Sequence, residues 1–225
     1  MKLSLSRPII FFDIEATGLN VATDRIVELC YIKLYPDGTE TVKTQRFNPE
    51  RHISEEASAV NGIHDEDVAN CPHFKEHAAE LAQTFQGSDL AGFNSNHFDI
   101  PLLVEEFIRA GVDYDVTDLN DAHTAEADTR ATLEVLEAQL DRYDTELKNS
   151  VPFLAEFSRR TRNVDLAGRI VYNDQGVETI NFGKYRGRAV ADVLQRDPGY
   201  FAWIMQGDFT QNTKQTFMRL KLRGV

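Results

Sequence analysis

The feature that most constrains the fold is an apolar run near the start of the chain that ends in two acidic residues. Ile9 to Phe12 is entirely apolar, and Asp13-Ile14-Glu15 follows directly. A short apolar run of this kind is typical of a strand that is buried on both faces. Side chains two apart in a strand point to the same face, so Asp13 and Glu15 form a pair. Two adjacent carboxylates repel unless a cation offsets them, which makes the pair a candidate ligand set for Mg²⁺ or Mn²⁺. The alternative is that the strand has already ended and both side chains face water.

The rest of the first half alternates strand and helix patterns. Arg25 to Tyr35 and Thr41 to Phe47 are strand-like, and Pro36-Asp37-Gly38 between them indicates a hairpin. Further strand and helix patterns are a short strand at Asp89–Phe93 and helices over Pro72–Phe85, Phe98–Ala110 and Ala125–Leu140. Three strands followed by alternating helix and strand favour an α/β fold with a mixed sheet flanked by helices.

A second, smaller unit is expected at the C-terminal end. We place the first domain at 1–147, a linker helix and a basic joint at 148–164, and a small accessory module at 165–225. The turn signal Asn173-Asp174-Gln175-Gly176 predicts a hairpin in this module, and short helices are expected from near Ala189, Pro198 and Gln211. The module is therefore predicted to be α+β.

The two parts differ in charge. The chain has a net charge of −12, but residues 1–150 contribute −17 and residues 151–225 contribute +5. An acidic part can concentrate divalent cations, and a basic part can hold phosphates. The simpler explanation, that acidic residues maintain solubility, accounts for most of the carboxylates but leaves the asymmetry unexplained.

The cysteines and the hydropathy bear on the compartment. Cys30 and Cys71 lie far apart in unrelated settings, which supports neither a disulfide framework nor a zinc site. No apolar stretch approaches the length of a membrane span, and the first residues lead directly into the acidic strand instead of forming a secretory leader. We therefore expect a cytoplasmic protein with no membrane partner.

Three further residues are candidates for the same site as the two strand carboxylates. Asp99 opens a predicted helix after a short strand, and His123 and Asp128 are five residues apart at a loop-to-helix step. Taken singly, Asp99 is explained as a charge at a helix N-terminus, and His123 as an exposed loop histidine. The order of the motifs decides between these interpretations.

The ordered motifs resemble those of the DEDD exonucleases, in the histidine-containing branch that includes the proofreading epsilon subunit of bacterial DNA polymerase III. The resemblance covers about residues 8–142. The matching segments are Asp13-Ile14-Glu15-Ala16-Thr17-Gly18-Leu19, Gly92-Phe93-Asn94 through Phe98-Asp99, and His123-Thr124-Ala125-Glu126-Ala127-Asp128, with Ile26-Val27-Glu28 and Asn61-Gly62-Ile63-His64 in support. One departure is the 28 residues between Asp99 and Asp128, fewer than the family usually has.

The resemblance implies a ribonuclease-H-like domain and a set of site residues. Two divalent ions, Mg²⁺ or Mn²⁺, would be bound by four carboxylates, those of Asp13, Glu15, Asp99 and Asp128. His123 would be the general base that takes a proton from the attacking water, for which a pKa near 6.5 is suitable. The remaining implied substrate contacts are Thr17, Gly18, Leu19, Asn94 and Phe98.

The C-terminal module interleaves basic and aromatic residues. Lys184, Tyr185, Arg186 and Arg188 lie in one short segment, a pattern that suits single-stranded nucleic acid and makes these four candidate substrate contacts. The alternative is that the aromatics form the module's own core, and for Phe201 and Trp203 we prefer that interpretation. The segment also resembles the C-terminal module of exonuclease-X-like proteins.

These observations predict a 3′–5′ exonuclease that acts on DNA, at single-stranded or frayed ends, and releases nucleoside 5′-monophosphates. Nucleic acid is the expected partner, with DNA favoured over RNA, and a DNA polymerase subunit is a further candidate. The same chemistry on RNA stays open, as does a non-catalytic, polymerase-associated binding subunit. A calcium-binding or purely structural acidic domain would instead cluster its carboxylates in one loop.

Overall fold

The computed structural model describes residues 3–92, 95–114, 121–123, 129–158 and 163–223. These divide into two compact units, each considered in turn below. The first comprises Met1–Asn20 and Asp24–Arg159, and the second comprises Val21–Thr23 and Arg160–Val225. The domain bounds drawn from the sequence stay a prediction.

The first unit is built on a five-stranded sheet. Its strands are β1 (Ile9–Ala16), β2 (Ile26–Leu34), β3 (Glu40–Arg46), β4 (Asp89–Gly92) and β5 (Asp121–His123). They lie in the order β3-β2-β1-β4-β5; β2 is antiparallel to both β1 and β3, and β4 is parallel to both β1 and β5. The predicted mixed sheet is confirmed. The three-residue β5 was not predicted, because so short a segment carries no periodic signal.

Among the residues of the first unit that the structure describes, six helices accompany the sheet. They are α1 (Glu55–Asn61), α2 (Asp65–Val68), α3 (Phe74–Phe85), α4 (Asp99–Arg109), α5 (Thr129–Arg142) and α6 (Val151–Ser158). The sequence analysis predicted α3, α4, α5 and α6 but missed α1 and α2. The reason is visible in α1, which buries none of its side chains and so has no apolar periodicity to detect.

Alternate residues of β1 supply the two faces of the sheet. Phe12 meets Phe85 of α3 edge-on, with ring centroids 5.7 Å apart. Phe11 points the other way, as the period of two requires. On that second face, residues of β1, α5 and α6 form one buried cluster that includes Ile9, Phe11, Leu133, Leu136, Leu140, Val151 and Leu154. Both faces of the central strand are covered, which explains its unbroken apolar run.

Helix α6 belongs to this core. The sequence interpretation assigned it to a linker, but Val151 and Leu154 are buried in the cluster that also contains Phe11. A burial of this kind gives the helix a fixed position on the first unit. Its two-turn length made the apolar face hard to distinguish from a surface joint.

The second unit is a small α+β module, as predicted. It consists of the hairpin β6 (Ile170–Tyr172) and β7 (Glu178–Ile180), a 3₁₀ turn at Gly183–Tyr185, and helices α7 (Val190–Arg196), α8 (Pro198–Gln206) and α9 (Gln211–Leu222). Its core is apolar and aromatic, with Ile170, Ile180, Val193, Ile204 and Phe217 among the buried members.

One carboxylate lies inside this module. Asp165 is 3% exposed, accepts a hydrogen bond from the backbone N–H of Ile170 at 2.7 Å, and accepts another from Thr213 Oγ1. Burial raises the pKa of Asp165, and the two hydrogen bonds act in the opposite direction. This buried group connects the start of β6 to α9.

None of the helices described here combines the length and apolar character needed to cross a bilayer.

Candidate active site

The two carboxylates of β1 lie inside the strand. Asp13 pairs with Cys30 and Glu15 with Glu28 of β2, and the register shifts only after Glu15. Both side chains are half-buried, on the face that Phe11 shares. The alternative in which the strand ends before them and both face water is therefore wrong.

A third carboxylate joins this pair from a distant part of the sequence. Asp99 is the first residue of α4 and is only 7% exposed. The backbone N–H of Ile14, which lies between Asp13 and Glu15, donates a hydrogen bond of 3.1 Å to Asp99 Oδ1. This bond attaches the start of α4 to the acidic end of β1.

The three carboxylates perturb one another. The pKa of Asp99 is raised to about 7, first by burial and then by the negative charge of Asp13. Burial also raises the pKa of Glu15, and the charges of Asp13 and Glu28 add to that shift. Like charges held together out of water are costly unless a cation offsets them. The donor set, all carboxylate oxygen, is the one that Mg²⁺ and Mn²⁺ prefer.

The loop after β1 is built around Asp24. Its carboxylate accepts hydrogen bonds from Thr17 Oγ1 at 2.9 Å and from the backbone N–H of Asn20 at 2.8 Å. A Cβ on Gly18 would lie 2.6 Å from Asp24 Oδ2, so a larger residue there would displace this hydrogen-bonded carboxylate. The side chain of Leu19, between these anchors, is 87% exposed. The loop therefore presents one apolar side chain to solvent between two residues that are hydrogen-bonded to Asp24.

Asp24 is held in turn by an ion network under the loop. Arg109 of α4 donates to the backbone oxygen of Asp24 at 2.7 Å and to Glu106 Oε1 at 2.9 Å. Glu106, 1% exposed, also accepts from Arg25 Nε at 2.6 Å. The same helix that begins with Asp99 thus supports the loop through its last turn.

The step from β4 to α4 explains the glycine of the second motif. A Cβ on Gly92 would lie 2.7 Å from the backbone oxygen of Phe12 and 2.9 Å from Ser95 Cβ. Phe98, half-buried, directly precedes Asp99. Asn94 lies outside the described residues, so its predicted role stays a prediction.

The third motif is described only in part. His123 lies in β5, where it pairs with Gly92 of β4. The role of its side chain as base stays a prediction, and Asp128 lies outside the described residues. Helix α5 begins at Thr129 and packs on the same face of the sheet as Phe11. Within the described part of the chain, no three acidic, imidazole or thiol side chains form a group that could hold a metal ion.

Sequence reasoning missed two residues at this site. The Asn61 side chain donates to the backbone oxygen of Ala16 at 3.3 Å. It also hydrogen-bonds to Glu15, which partly opposes the rise in the pKa of that carboxyl. The supporting motif Asn61-Gly62-Ile63-His64 was the signal that could have identified it. Asp24 had no such signal, because its role depends on the folded path of the loop.

Comparison with known proteins supports the interpretation of this chain as an exonuclease. A family model described as Exonuclease matches residues 10–116, and one described as Exodeoxyribonuclease X-like C-terminal matches residues 180–207. Exodeoxyribonuclease 10 of Escherichia coli (strain K12) is 27% identical over 209 residues, which cover 85% of this chain and 88% of that protein. These similarities support a DEDD 3′–5′ exonuclease.

One further sequence relative and one solved structure resemble part of the chain. DNA polymerase III subunit epsilon of Treponema pallidum is 32% identical over 95 residues, which cover 42% of this chain and 44% of that protein. The structure of a moderately thermophilic Exonuclease I from Methylocaldum szegediense superimposes with a TM-score of 0.52 at 18% identity. That match covers 70% of this chain and 44% of the other, and it supports the ribonuclease-H-like fold alone.

The match to the Exonuclease family model and the similarity to an exodeoxyribonuclease support a hydrolase, and that family implies dependence on divalent metal ions. The carboxylates Asp13, Glu15 and Asp99 fit that dependence, because burial and like charge raise the pKa of Glu15 and of Asp99, and a bound cation would counteract both effects.

The predicted contacts of the C-terminal module fall on one short turn. Lys184, Arg186 and Arg188 are exposed. Tyr185 is half-buried and donates through its hydroxyl to Asp197 Oδ2 at 2.9 Å. Lys184 Nζ lies 3.3 Å from the same oxygen. Tyr185 therefore contributes mainly to the structure of the module, and the three cations remain the candidates for phosphate contact.

Two aromatic residues of α8, Phe201 and Trp203, differ in burial. Phe201 is half-buried and packs against the module's core, so the prediction for it is confirmed. Trp203 is 54% exposed, and its predicted core position is wrong. Helical spacing indicates which face a residue lies on but not where a small core ends.

Proposed function

We propose that this exonuclease removes nucleotides from the 3′ end of DNA by a two-metal-ion mechanism and releases nucleoside 5′-monophosphates. The observation that carries the proposal is the meeting of Asp13, Glu15 and Asp99, three acidic groups from two distant segments, joined by the Ile14–Asp99 hydrogen bond. Support for DNA as the substrate comes from the name of the bacterial relative, an exodeoxyribonuclease that this chain covers over most of its length.

The proposed ligands are Asp13, Glu15, Asp99 and Asp128. Two divalent cations bound there would neutralise the scissile phosphate and stabilise the attacking and leaving oxygens. The chain's own part is to hold these carboxylates in place, and bound cations would favour their ionised forms. Asp99 is fixed by Ile14, and Glu15 is supported by Asn61.

Further residues would act on the attacking water or contact the substrate. We assign His123 as the base that accepts the proton of the attacking water, with Asn94 and Phe98 beside the substrate. Leu19 would contact the terminal nucleotide as an apolar wedge, while Thr17 and Gly18 approach it through their backbone. The firm hydrogen bonding of Thr17 to Asp24 suits a role in which the loop positions the substrate without deforming.

The test is a degradation assay on matched DNA and RNA strands, labelled at either end, with Mg²⁺, Mn²⁺ or chelator. The proposal expects stepwise shortening from the 3′ end of DNA, release of 5′-monophosphates, and no reaction in chelator. An Asp13→Asn variant that digests DNA as fast as the unaltered protein would overturn the assignment of the site. Faster degradation of RNA than of DNA would overturn the assignment of the substrate. A polymerase partner and a cytoplasmic location stay predictions.

A further inference from the structure

The second unit exposes a tryptophan that its own packing holds in place. Trp203 of α8 stacks on Tyr200, with centroids 5.3 Å apart and rings inclined by 25°, and meets Phe209 edge-on at 5.4 Å. More than half of the side chain is nevertheless exposed. A supported aromatic ring with an exposed face is a platform on which a nucleic-acid base can stack.

Cations lie along the same series of rings. Tyr185 meets Tyr200 edge-on at 5.0 Å, and Lys184 Nζ lies 4.6 Å from the Tyr185 centroid. Arg186 and Arg188 follow on the same exposed turn. We call this set of residues the aromatic–basic patch; its members are Lys184, Tyr185, Arg186, Arg188, Tyr200 and Trp203.

The ion pair within the patch can yield to a ligand. Lys184 contacts Asp197, but its side chain is 66% exposed. Exposed pairs of this kind contribute little, because water screens them and both side chains lose freedom. A phosphate group can therefore compete with Asp197 for the ammonium group at small cost.

The chemistry of the patch selects one class of occupant. Unpaired bases offer flat faces that stack on an aromatic ring, and the phosphates between them meet cations. A duplex keeps its bases stacked on one another, and an acidic peptide would engage the cations but leave Trp203 without a planar partner. Residues 151–225 carry a net charge of +5 within an acidic chain, which favours a polyanion at this unit.

We infer that the aromatic–basic patch binds single-stranded nucleic acid, with Trp203 stacking on a base and Lys184, Arg186 and Arg188 contacting phosphates. The inference rests on the proposed function in that it assumes a strand whose 3′ end the exonuclease digests. It adds a second site, outside the metal-binding residues, that would hold the same strand.

The chain offers a direct probe, because Trp203 is the only tryptophan in the sequence. The full chain is titrated with a deoxythymidine oligonucleotide in chelator, so that binding is observed without hydrolysis. Stacking on Trp203 is expected to quench its fluorescence saturably. A blunt duplex of the same length, and an abasic strand with the same phosphates, are expected to quench it far less.

Variants separate the two kinds of contact. In fluorescence anisotropy with a labelled strand, Trp203→Ala is expected to weaken binding by about 5- to 150-fold, the range of one lost base stack. Trp203→Phe, which keeps a ring between Tyr200 and Phe209, should lose less. The double variant Arg186→Ala/Arg188→Ala should lower the salt dependence of binding by about 0.7 per phosphate contact. Tyr172→Ala and Arg219→Ala, exposed residues of the same module outside the patch, are the matched controls.

The outcomes are distinguishable from those of the exonuclease test. Saturable binding with unchanged Trp203 emission would overturn the inference, as would a Trp203→Ala variant that binds the single strand like the controls. Equal quenching by duplex and single strand would also overturn it. Any of these three results could occur while Asp13→Asn still abolishes hydrolysis. In that case the proposed function stands and only the second site fails.

Discussion

The backbone N–H of Ile14 donates a hydrogen bond to Asp99 Oδ1 at 3.1 Å, between residues 85 apart in the sequence. Ile14 itself is buried in the core, so its amide position is set by the packing of β1. The bond therefore gives Asp99 the rigidity of the central strand. It also brings the carboxyl group of Asp99 close enough to Asp13 and Glu15 that their negative charges raise its pKa.

Asp99→Asn tests whether this charge serves catalysis. The amide oxygen can still accept from Ile14, so the fold should be kept. The loss of a buried charge beside Asp13 should leave the thermal midpoint unchanged or raise it. We expect the rate of nucleotide release to fall by at least about 10²-fold, as for other electrostatic groups in active sites. Initial rates and circular dichroism melts measure the two effects. Asp174→Asn, an exposed residue of the C-terminal hairpin, is the isosteric control, and a matching rate for both variants would exclude Asp99 from the site.

Metal binding should be visible without any substrate. A ligand that binds only the folded state stabilises it by an amount that grows with its concentration. Mg²⁺ or Mn²⁺ is therefore expected to raise the melting temperature of the chelator-treated protein, and Asp13→Asn should reduce that rise. Calorimetric scans with and without metal provide the measurement. An equal rise for Asp13→Asn and the unaltered protein would place the ions elsewhere.

Leu19→Ala separates substrate contact from stability. The side chain is 87% exposed, so its removal should change the free energy of unfolding by less than about 0.5 kcal/mol. If it forms an apolar contact with the terminal nucleotide, KM should rise by up to about 10-fold, the equivalent of one buried aliphatic contact. Val42→Ala, an exposed aliphatic residue of β3, is the control for both measurements. An unchanged KM for Leu19→Ala would remove the proposed wedge.

Gly18→Ala addresses the same loop from within. The added methyl group would lie 2.6 Å from Asp24 Oδ2, so the carboxylate that holds Thr17 and Asn20 must move. We expect the steady-state rate to fall at all substrate concentrations, whereas the global fold, followed by circular dichroism, is kept. A fully active Gly18→Ala variant would show that the geometry of this loop is unimportant for catalysis.

Asp165 should make the stability of the C-terminal module depend on pH. Its folded-state pKa is raised, so the folded state binds the proton more tightly than the unfolded state does. Its stabilising contribution is therefore complete below the unfolded pKa, about 3.9, and is lost as pH rises through the raised folded value. Asp165→Asn, which cannot ionise, should flatten this decline. Urea unfolding followed by the emission of Trp203 reports on this module, and identical pH profiles for the two proteins would contradict the assignment.

The sequence predicted those site residues that belong to short local motifs. The acidic end of β1 was identified because two carboxylates interrupt an apolar strand, and Asp99 because it opens a helix directly after a strand. Asp24 and Asn61 were not identified as site residues. Their roles are hydrogen bonds to backbone and side-chain groups whose positions exist only in the folded chain.

By itself, the sequence determined the apolar run of β1 with its two carboxylates, the order of the three motifs and the opposite charges of the two parts of the chain. These are properties of neighbouring residues and of composition, which need no folded coordinates. Only the tertiary structure decided that Asp99 lies against Ile14, that α6 belongs to the core and that Trp203 stays exposed. Each of these depends on which surfaces pack together, and packing joins residues across separations that no local pattern records.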